Sequence, residues 1–115
     1  MHARRGVDAV PAVFAIVGGA LVIPVDSVKA KRTTRLQRVA NIEADARCVL
    51  LVDGFDDDWS RLWWVRVHGT AVVRAPRGDE LDALSARYPQ YRELGTVVDA
   101  IVLAPSEITG WAAPE

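Results

Sequence analysis

The feature that most constrains the fold is a long run of alternating residues from Arg61 to about Arg74. Successive side chains of a β-strand point to opposite faces of the sheet, so this run predicts a strand with two unlike faces. The odd positions form a core face, and the mixed even positions are expected to meet a partner surface or a ligand. The odd set is Trp63, Val65, Val67, Gly69, Ala71 and Val73; the even set is Leu62, Trp64, Arg66, His68, Thr70, Val72 and Arg74.

The rest of the chain predicts further hairpin strands and two short helices. Gly18-Gly19 is a turn dipeptide because glycine tolerates positive φ, and it predicts a hairpin over residues 9–25. A capping box at Thr34–Gln37 and helical spacing predict a helix over 35–45. The other expected elements are a buried strand at 48–53, a helix at 79–88 that stops before Pro89, a last strand at 97–103 and a C-terminal tail.

This order of elements, β-β-α-β-β-α-β, predicts a mainly β (α+β) fold: an antiparallel barrel with helices at its openings. With 115 residues, 50% of them hydrophobic, residues 1–115 suit a single domain. The net charge of −1 argues against a general nucleic-acid binder. No apolar stretch is long enough to cross a bilayer. We therefore expect a cytoplasmic protein without nucleic-acid or membrane partners.

The segment DGFDDDWSRLWWVRVHG, residues 53–69, places aspartates beside three tryptophans. A calcium loop beginning at Asp53 would need glycine at its sixth position and glutamate at its twelfth, where Asp58 and Trp64 stand. The aspartates are better explained as a solvated hairpin tip. Neither His2 nor His68 has the neighbours of a metal site, and the single Cys48 is expected to be a buried strand thiol.

A basic stretch, KAKRTTRLQR, surrounds the start of the first helix. Cations are unfavourable at that end of a helix, where the macrodipole is already positive. Free amides and converging cations would instead bind a phosphate or a carboxylate. A solvated basic face is the alternative, and the residues alone do not separate the two. The same holds for Trp64, which could stack on a planar ring or fill a subunit interface.

Taken together, the basic helix start running into Asn41-Ile42 and the strand WSRLWWVRVHGTAVV resemble the pyridoxamine 5'-phosphate oxidase-like split β-barrel family. The likeness spans about residues 7–111 and is greatest to the actinobacterial branch that uses the deazaflavin coenzyme F420. Members of the family usually carry a helix and a first strand before the segment matching RRGVDAVPAVFA, so the resemblance implies that this chain lacks them. Ala46 also stands where proline is common.

The resemblance implies an antiparallel split β-barrel that forms a homodimer, with two cofactor sites at the subunit interface. It implies that the cofactor phosphate is held near the first helix, and that Trp64 lies beside the cofactor ring. Val13 and Phe14 would border the ring, and Trp111 would reach the dimer interface. The implied phosphate-binding residues are Lys31, Thr34, Arg35, Arg38 and Asn41.

The implied function is an F420-dependent oxidoreductase that transfers a hydride between the deazaflavin and a small organic substrate. No residue is predicted to act as a catalytic acid or base, because the cofactor supplies the chemistry. An FMN-binding relative and a non-catalytic cofactor-binding protein are the alternatives. A platform for single-stranded nucleic acid is disfavoured by the acidic residues Asp56-Asp57-Asp58 beside the tryptophans.

Overall fold

The computed structural model describes residues 9, 11–26, 39–93 and 97–114. Five antiparallel strands form one sheet in the order β1-β2-β5-β4-β3. The strands are β1 (Ala15–Val17), β2 (Ala20–Asp26), β3 (Arg47–Gly54), β4 (Trp63–Arg74) and β5 (Val97–Ala112). The helices are α1 (39–44), α2 (Gly78–Arg87) and the single turn α3 (Gln90–Glu93), and a 3-10 turn at Trp59–Arg61 precedes β4. The predicted mainly β (α+β) class is confirmed.

The first hairpin turns on two glycines, as predicted. Gly18 and Gly19 have φ of +56° and +80°. Positive φ at both central residues is the geometry of a type I′ turn, whose twist matches that of the flanking strands. The turn aligns Ala15 with Val22 and thereby sets the register of β1 on β2.

The sheet curls so that its two ends share a core. Residues from β2 and from β3 pack in the same cluster although β5 and β4 lie between them in the sheet. Phe14, just before β1, packs against this cluster and the next, as do Cys48 and Leu50 of β3. The buried members of the two clusters are Leu21, Ile23, Val25, Val67, Ala71, Ile101 and Leu103. The odd positions of β4 from Val65 to Val73 therefore face inward, as the alternation predicted. Trp63, which was also expected on the core face, is 42% exposed at the start of the strand.

Helix α2 covers one half of the outward face of the sheet. Leu84 is fully buried against Ala15, Val22 and Ala100. We call these outward residues of β1, β2 and β5 the covered half. A carboxylate anchors the helix: Glu80 is 3% exposed and accepts two hydrogen bonds from Arg74, at 2.8 and 2.6 Å. Glu80 also accepts the backbone N–H of Arg77 at 2.8 Å.

Two strand predictions are wrong. Residues 48–53 were expected to be buried, but the side chains of β3 alternate between the inner and the outward face, so Val49 and Leu51 are 53% and 59% exposed. The last strand was expected to end at 103 and residues 109–115 to form a tail, but β5 runs to Ala112 because its second half pairs with the first half of β4. The second half of β5 is rich in polar residues, so its sequence does not show the apolar pattern by which a strand is recognised.

Both predicted helices are found as far as the described residues extend. The predicted helix at 79–88 occupies Gly78–Arg87 and ends before Pro89, as expected. Of the predicted helix at 35–45, residues 39–44 are helical and its start lies outside the described residues. No helix in the described part of the chain has both the length and the apolar character needed to cross a membrane.

Candidate functional site

The candidate site lies on the part of the outward face over which no described helix packs. We call it the bare half. It consists of three cross-strand rows on β3, β4 and β5, in which paired residues share one face of the sheet. The rows are Val49–His68–Glu107, Leu51–Arg66–Thr109 and Asp53–Trp64–Trp111. The bare half thus combines exposed apolar side chains with four titratable ones.

Trp64 is half-buried on the bare half, as expected for an even position of β4. Its direct cross-strand partner on β5 is Trp111, which is 48% exposed. Side chains paired in this way have Cβ atoms about 5 Å apart. The two indoles are therefore cross-strand neighbours on the outside of the barrel.

Arg66 lies against the indole of Trp64. Its guanidinium carbon Cζ is 4.4 Å from the centroid of the Trp64 ring, within the range of a cation–π interaction. Among the described residues, the arginines in ion pairs are Arg47, Arg61 and Arg74, so Arg66 has no described carboxylate partner. The aromatic ring limits the freedom of this side chain, whose charge is exposed to water.

Thr109 is the cross-strand partner of Arg66 on β5. Its hydroxyl oxygen Oγ1 is buried and makes no hydrogen bond. Buried polar groups are nearly always paired, and leaving one unpaired costs about 1–3 kcal/mol. This hydroxyl is the one buried side-chain N or O atom without a partner in the described chain, and it lies in the same row as Arg66.

The predicted phosphate-binding residues Lys31, Thr34, Arg35 and Arg38 lie outside the described residues. Asn41 is described: it is half-buried in α1, and its backbone carbonyl accepts the N–H of Asp45 at 3.0 Å. The basic stretch therefore runs into α1 in sequence, and the geometry of the implied phosphate site remains a prediction.

Val13 and Phe14, the implied ring neighbours from the first hairpin, occupy different environments. Val13 is exposed, whereas Phe14 packs into the barrel core. Two groups near the end of α2 hold the backbone at Phe14: Arg87 Nη1 donates to the Phe14 carbonyl at 2.8 Å, and the Tyr88 hydroxyl accepts the Phe14 N–H at 3.4 Å. Phe14 thus closes the inner core, away from the bare half.

The aspartates of the β3–β4 connection organise their own turn. Asp58 accepts the backbone N–H and the hydroxyl of Ser60 at 3.1 and 2.7 Å, which lowers the pKa of Asp58 and caps the 3-10 turn. Asp56 accepts the N–H of Asp58 at 2.8 Å and faces Arg61 at 3.5 Å. These contacts fit the expected hairpin tip, and no group of metal-ligating side chains converges among the residues that the structure describes.

Cys48 does not form part of the candidate site. It lies on the inner face of β3 and is half-buried, whereas the sequence suggested a buried thiol. Burial raises the pKa of its thiol, which opposes formation of the reactive thiolate. Its environment is that of a packing residue.

Sequence reasoning did not single out Arg66 and Thr109. Arg66 was visible only as one charge on a mixed face, and Thr109 lay in the expected tail. The signal that joins them is the register of β5 on β4, which brings residues 43 positions apart into one pair. A local pattern carries no information about that pairing.

Comparisons with known proteins define the fold but not the family. No family model matches the chain, and no curated protein matches it. Among solved structures, the chain is similar to a protein from Corynebacterium glutamicum ATCC 13032 Kitasato, described provisionally as a pyridoxamine 5'-phosphate oxidase. The TM-score is 0.53 and the identity 22%, over 94% of this chain and 73% of that one. The likeness shows that the chain has the split-barrel-like α+β fold of that protein.

Proposed function

We propose that the protein is an oxidoreductase that binds the deazaflavin F420 and promotes hydride transfer between this cofactor and a small organic substrate. The observation that carries the proposal is the position of Trp64, half-buried on the outward face of the barrel in a fold shared with a protein provisionally described as a pyridoxamine 5'-phosphate oxidase. An indole on an outward sheet face offers the planar apolar surface that a tricyclic ring requires.

Such a cofactor has a ring at one end and a phosphate beyond it, and this chain offers side chains suited to each. Trp64 and Trp111 supply the aromatic surface for the ring. The phosphate would be held by Lys31, Thr34, Arg35, Arg38 and Asn41, at and just before α1. When bound, the cofactor supplies the hydride. The protein orients the ring, anchors the phosphate and excludes water, and these roles need no acid–base triad.

FMN is the alternative cofactor, because it also has a tricyclic ring and a phosphate. The number of cations favours F420. Residues 29–38 carry five of them, which are Lys29, Lys31, Arg32, Arg35 and Arg38. The deazaflavin carries an acidic tail beyond its phosphate, whereas FMN ends at the phosphate. Five cations exceed what one phosphate needs, and an extended anion would use more of them.

The test is a tryptophan-fluorescence titration of the purified protein with F420 and with FMN at two salt concentrations. Replacing Arg35 and Arg38 by alanine together should weaken binding by about tenfold or more, because charge-assisted hydrogen bonds to the phosphate are lost. Arg47→Ala is the matched control, since Arg47 is exposed and paired with Asp45. Unchanged cofactor affinity in the double variant contradicts the anchoring role.

A hydride-transfer assay with the reduced cofactor then separates an enzyme from a binding protein. Turnover of any small organic acceptor supports the proposed reaction. Tight binding of F420 or FMN without turnover across a panel of acceptors favours a non-catalytic cofactor-binding protein instead.

We also propose that the protein works as a homodimer in which a second copy packs on the bare half, with the cofactor at its margin. Val49 and Leu51 support this, because aliphatic side chains more than half exposed on a sheet face are typical of interaction surfaces. Leu51→Glu should shift the protein from dimer to monomer in sedimentation. Ile16→Glu, at an exposed aliphatic of edge strand β1, should leave the dimer intact. A wild-type monomer would rule out this arrangement.

A further inference from the structure

Strand β3 is an edge strand without the usual protection against pairing with another strand. In the described part of the chain it ends the sheet and pairs with β4 alone. It has eight residues, RCVLLVDG, whereas β1 at the opposite edge has three. Soluble proteins protect sheet edges with short strands, prolines, bulges or inward-pointing charges. β1 is protected by its shortness, and β3 has none of these features.

The backbone groups of β3 that β4 does not use belong to its odd positions. The carbonyl of Ala46, just before β3, accepts the N–H of Ala71 at 2.8 Å, so these two residues form a hydrogen-bonded pair. Such pairs alternate along an antiparallel ladder, and the even residues of β3 therefore bond to β4 in the same register. The odd residues direct their N–H and C=O groups away from β4. They are Arg47, Val49, Leu51 and Asp53.

The same four odd residues form a self-complementary row of side chains. All are exposed on the outward face, in the order cation, aliphatic, aliphatic, anion. A second copy of β3 running antiparallel, with Leu50 on the two-fold axis, brings Arg47 of one copy opposite Asp53 of the other. Val49 then lies opposite Leu51. Unlike charges and aliphatic pairs in these positions stabilise a sheet, and the unused backbone groups of the two strands face each other.

Other alignments of the two strands lose this complementarity. A shift of two residues places Asp53 opposite Asp45 in one direction and opposite Val49 in the other. Parallel pairing in register places each charge opposite its own copy, which is unfavourable. The antiparallel two-fold arrangement also uses both exposed β3 edges, so it closes and does not propagate into a fibre.

Both charges are available to a second copy. Arg47 donates to the Asp45 carboxylate from Nε and Nη2, at 3.0 and 2.7 Å, and its Nη1 has no partner among the described residues. The Arg47 side chain is 79% exposed. Asp53 is exposed and belongs to none of the described ion pairs. Asp45 also accepts the backbone N–H of Arg47 at 3.1 Å, which marks the end of the edge open to pairing.

We infer that two copies of the chain associate through antiparallel pairing of their β3 strands, which joins their sheets edge to edge. This contact goes beyond the proposed homodimer, because it uses the edge of β3, whereas that dimer uses the outward face. It makes one continuous surface of two bare halves. With both contacts formed, the assembly is a tetramer with dihedral symmetry.

The first test exchanges the two charges. In sedimentation over a range of protein concentrations, Arg47→Asp and Asp53→Arg should each weaken the association by about tenfold or more, because two symmetry-related attractions become repulsions. The double variant R47D/D53R restores unlike charges in this register and should recover the association. Arg61→Asp is the control, since it changes an exposed arginine outside β3 that pairs with Asp56. Thermal unfolding establishes that each variant is folded.

The second test separates edge pairing from packing on the face. Hydrogen exchange at the amides of Val49, Leu51 and Asp53 should be slow only at protein concentrations at which the copies associate. The same amides should exchange faster in Arg47→Asp. The amide of Leu50 is the internal control, because it bonds to β4 and should be protected at every concentration.

Three results would overturn the inference. The first is a double charge variant that associates no more tightly than either single variant. The second is equally fast exchange of the odd amides at low and high protein concentration, since a copy packed only on the bare half leaves them open to water. The third is protection of those amides at every concentration, which would mean that a segment of the same chain pairs with β3. None of these measurements involves a cofactor, so they are independent of the proposed oxidoreductase activity.

Discussion

The covered half and the bare half belong to one sheet face, yet they are built differently. Under α2 the outward residues are small and apolar, and Leu84 fills the space between Ala15, Val22 and Ala100. On the bare half, apolar side chains alternate with charges: Trp64 lies between Asp53 and Trp111, and Arg66 between Leu51 and Thr109. A permanently covered face can be wholly apolar, whereas a face in contact with water needs polar groups.

The contrast supports the proposal that the bare half meets a ligand or a second copy. A surface that only needed to be soluble would not expose two aliphatic residues and an indole together. A surface that was always buried would not hold an arginine without a carboxylate partner. The combination suits contacts that form and break, such as those with a ligand or a second copy.

The largest expected effect comes from truncating the leucine of α2 that packs on the covered half. Leu84→Ala removes a fully buried side chain and should lower the free energy of unfolding by about 3 kcal/mol, because a cavity remains beneath α2. Urea denaturation measures the change. Leu51→Ala, at a residue 59% exposed, should cost less than about 0.5 kcal/mol in the monomer. Equal costs at the two positions would mean that the bare half is also buried in solution.

The next effect concerns the anchor of the covering helix. Glu80→Gln weakens the two hydrogen bonds from Arg74 and should cost roughly 2 kcal/mol at neutral pH, because the charge that holds the arginine is lost. Asp79→Asn is the control, since Asp79 is an exposed acid of the same first turn. If the two variants unfold at the same urea concentration, Glu80 does not anchor α2.

The same anchor should give a dependence on acid. The hydrogen bonds from Arg74 hold the pKa of Glu80 down, from 4.5 to about 2. A depressed folded-state pKa contributes stability that is present above the unfolded value and is lost as pH falls through the folded value. Unfolding midpoints measured from about pH 6 down to about pH 2 should fall more steeply for the wild type than for Glu80→Gln. Parallel curves would show that another carboxylate controls the acid response.

The smallest effect is expected at the exposed ion pair at the start of β3. Arg47 Nη2 and Asp45 Oδ2 are 2.7 Å apart, and this contact lowers the pKa of Asp45 to about 2. The pair is solvated, so Asp45→Asn should leave the unfolding midpoint almost unchanged at moderate salt. A clear loss of stability would indicate that this end of the sheet has a partner.

Short-range patterns were sufficient for most of the barrel. Gly18-Gly19 placed the first hairpin, the alternation from Arg61 to about Arg74 placed the strand observed at Trp63–Arg74, and the residue before Pro89 marked the end of α2. In each case the cause acts within a few residues: glycine permits positive φ, alternation follows from the pleat, and proline disfavours helix in the residue before it.

The errors share a different cause. Residues 104–112 contain Pro105, Ser106, Glu107 and Gly110, which are poor strand formers on their own, and they form a strand because β4 lies beside them. The register shifts between His68 and Gly69, opposite Pro105. Such a bulge is a position at which a strand tolerates proline. Val49 and Leu51 looked buried because hydrophobicity alone does not tell which face of a strand is covered.

The candidate site likewise has one part that the sequence predicted and another that only the folded structure revealed. Residue types alone left the basic stretch before Asn41 open to an anion site or a solvated face, and Trp64 open to a ring or an interface; the family resemblance then implied the phosphate and ring roles. The chain order could not tell that Trp111 would stand opposite Trp64, that Thr109 would face Arg66, or that α2 would leave these rows bare. The chemistry of a side chain follows from its residue type alone. Its neighbours across a sheet depend on strand register and on which face a helix covers. Those two properties exist only once the whole chain has folded.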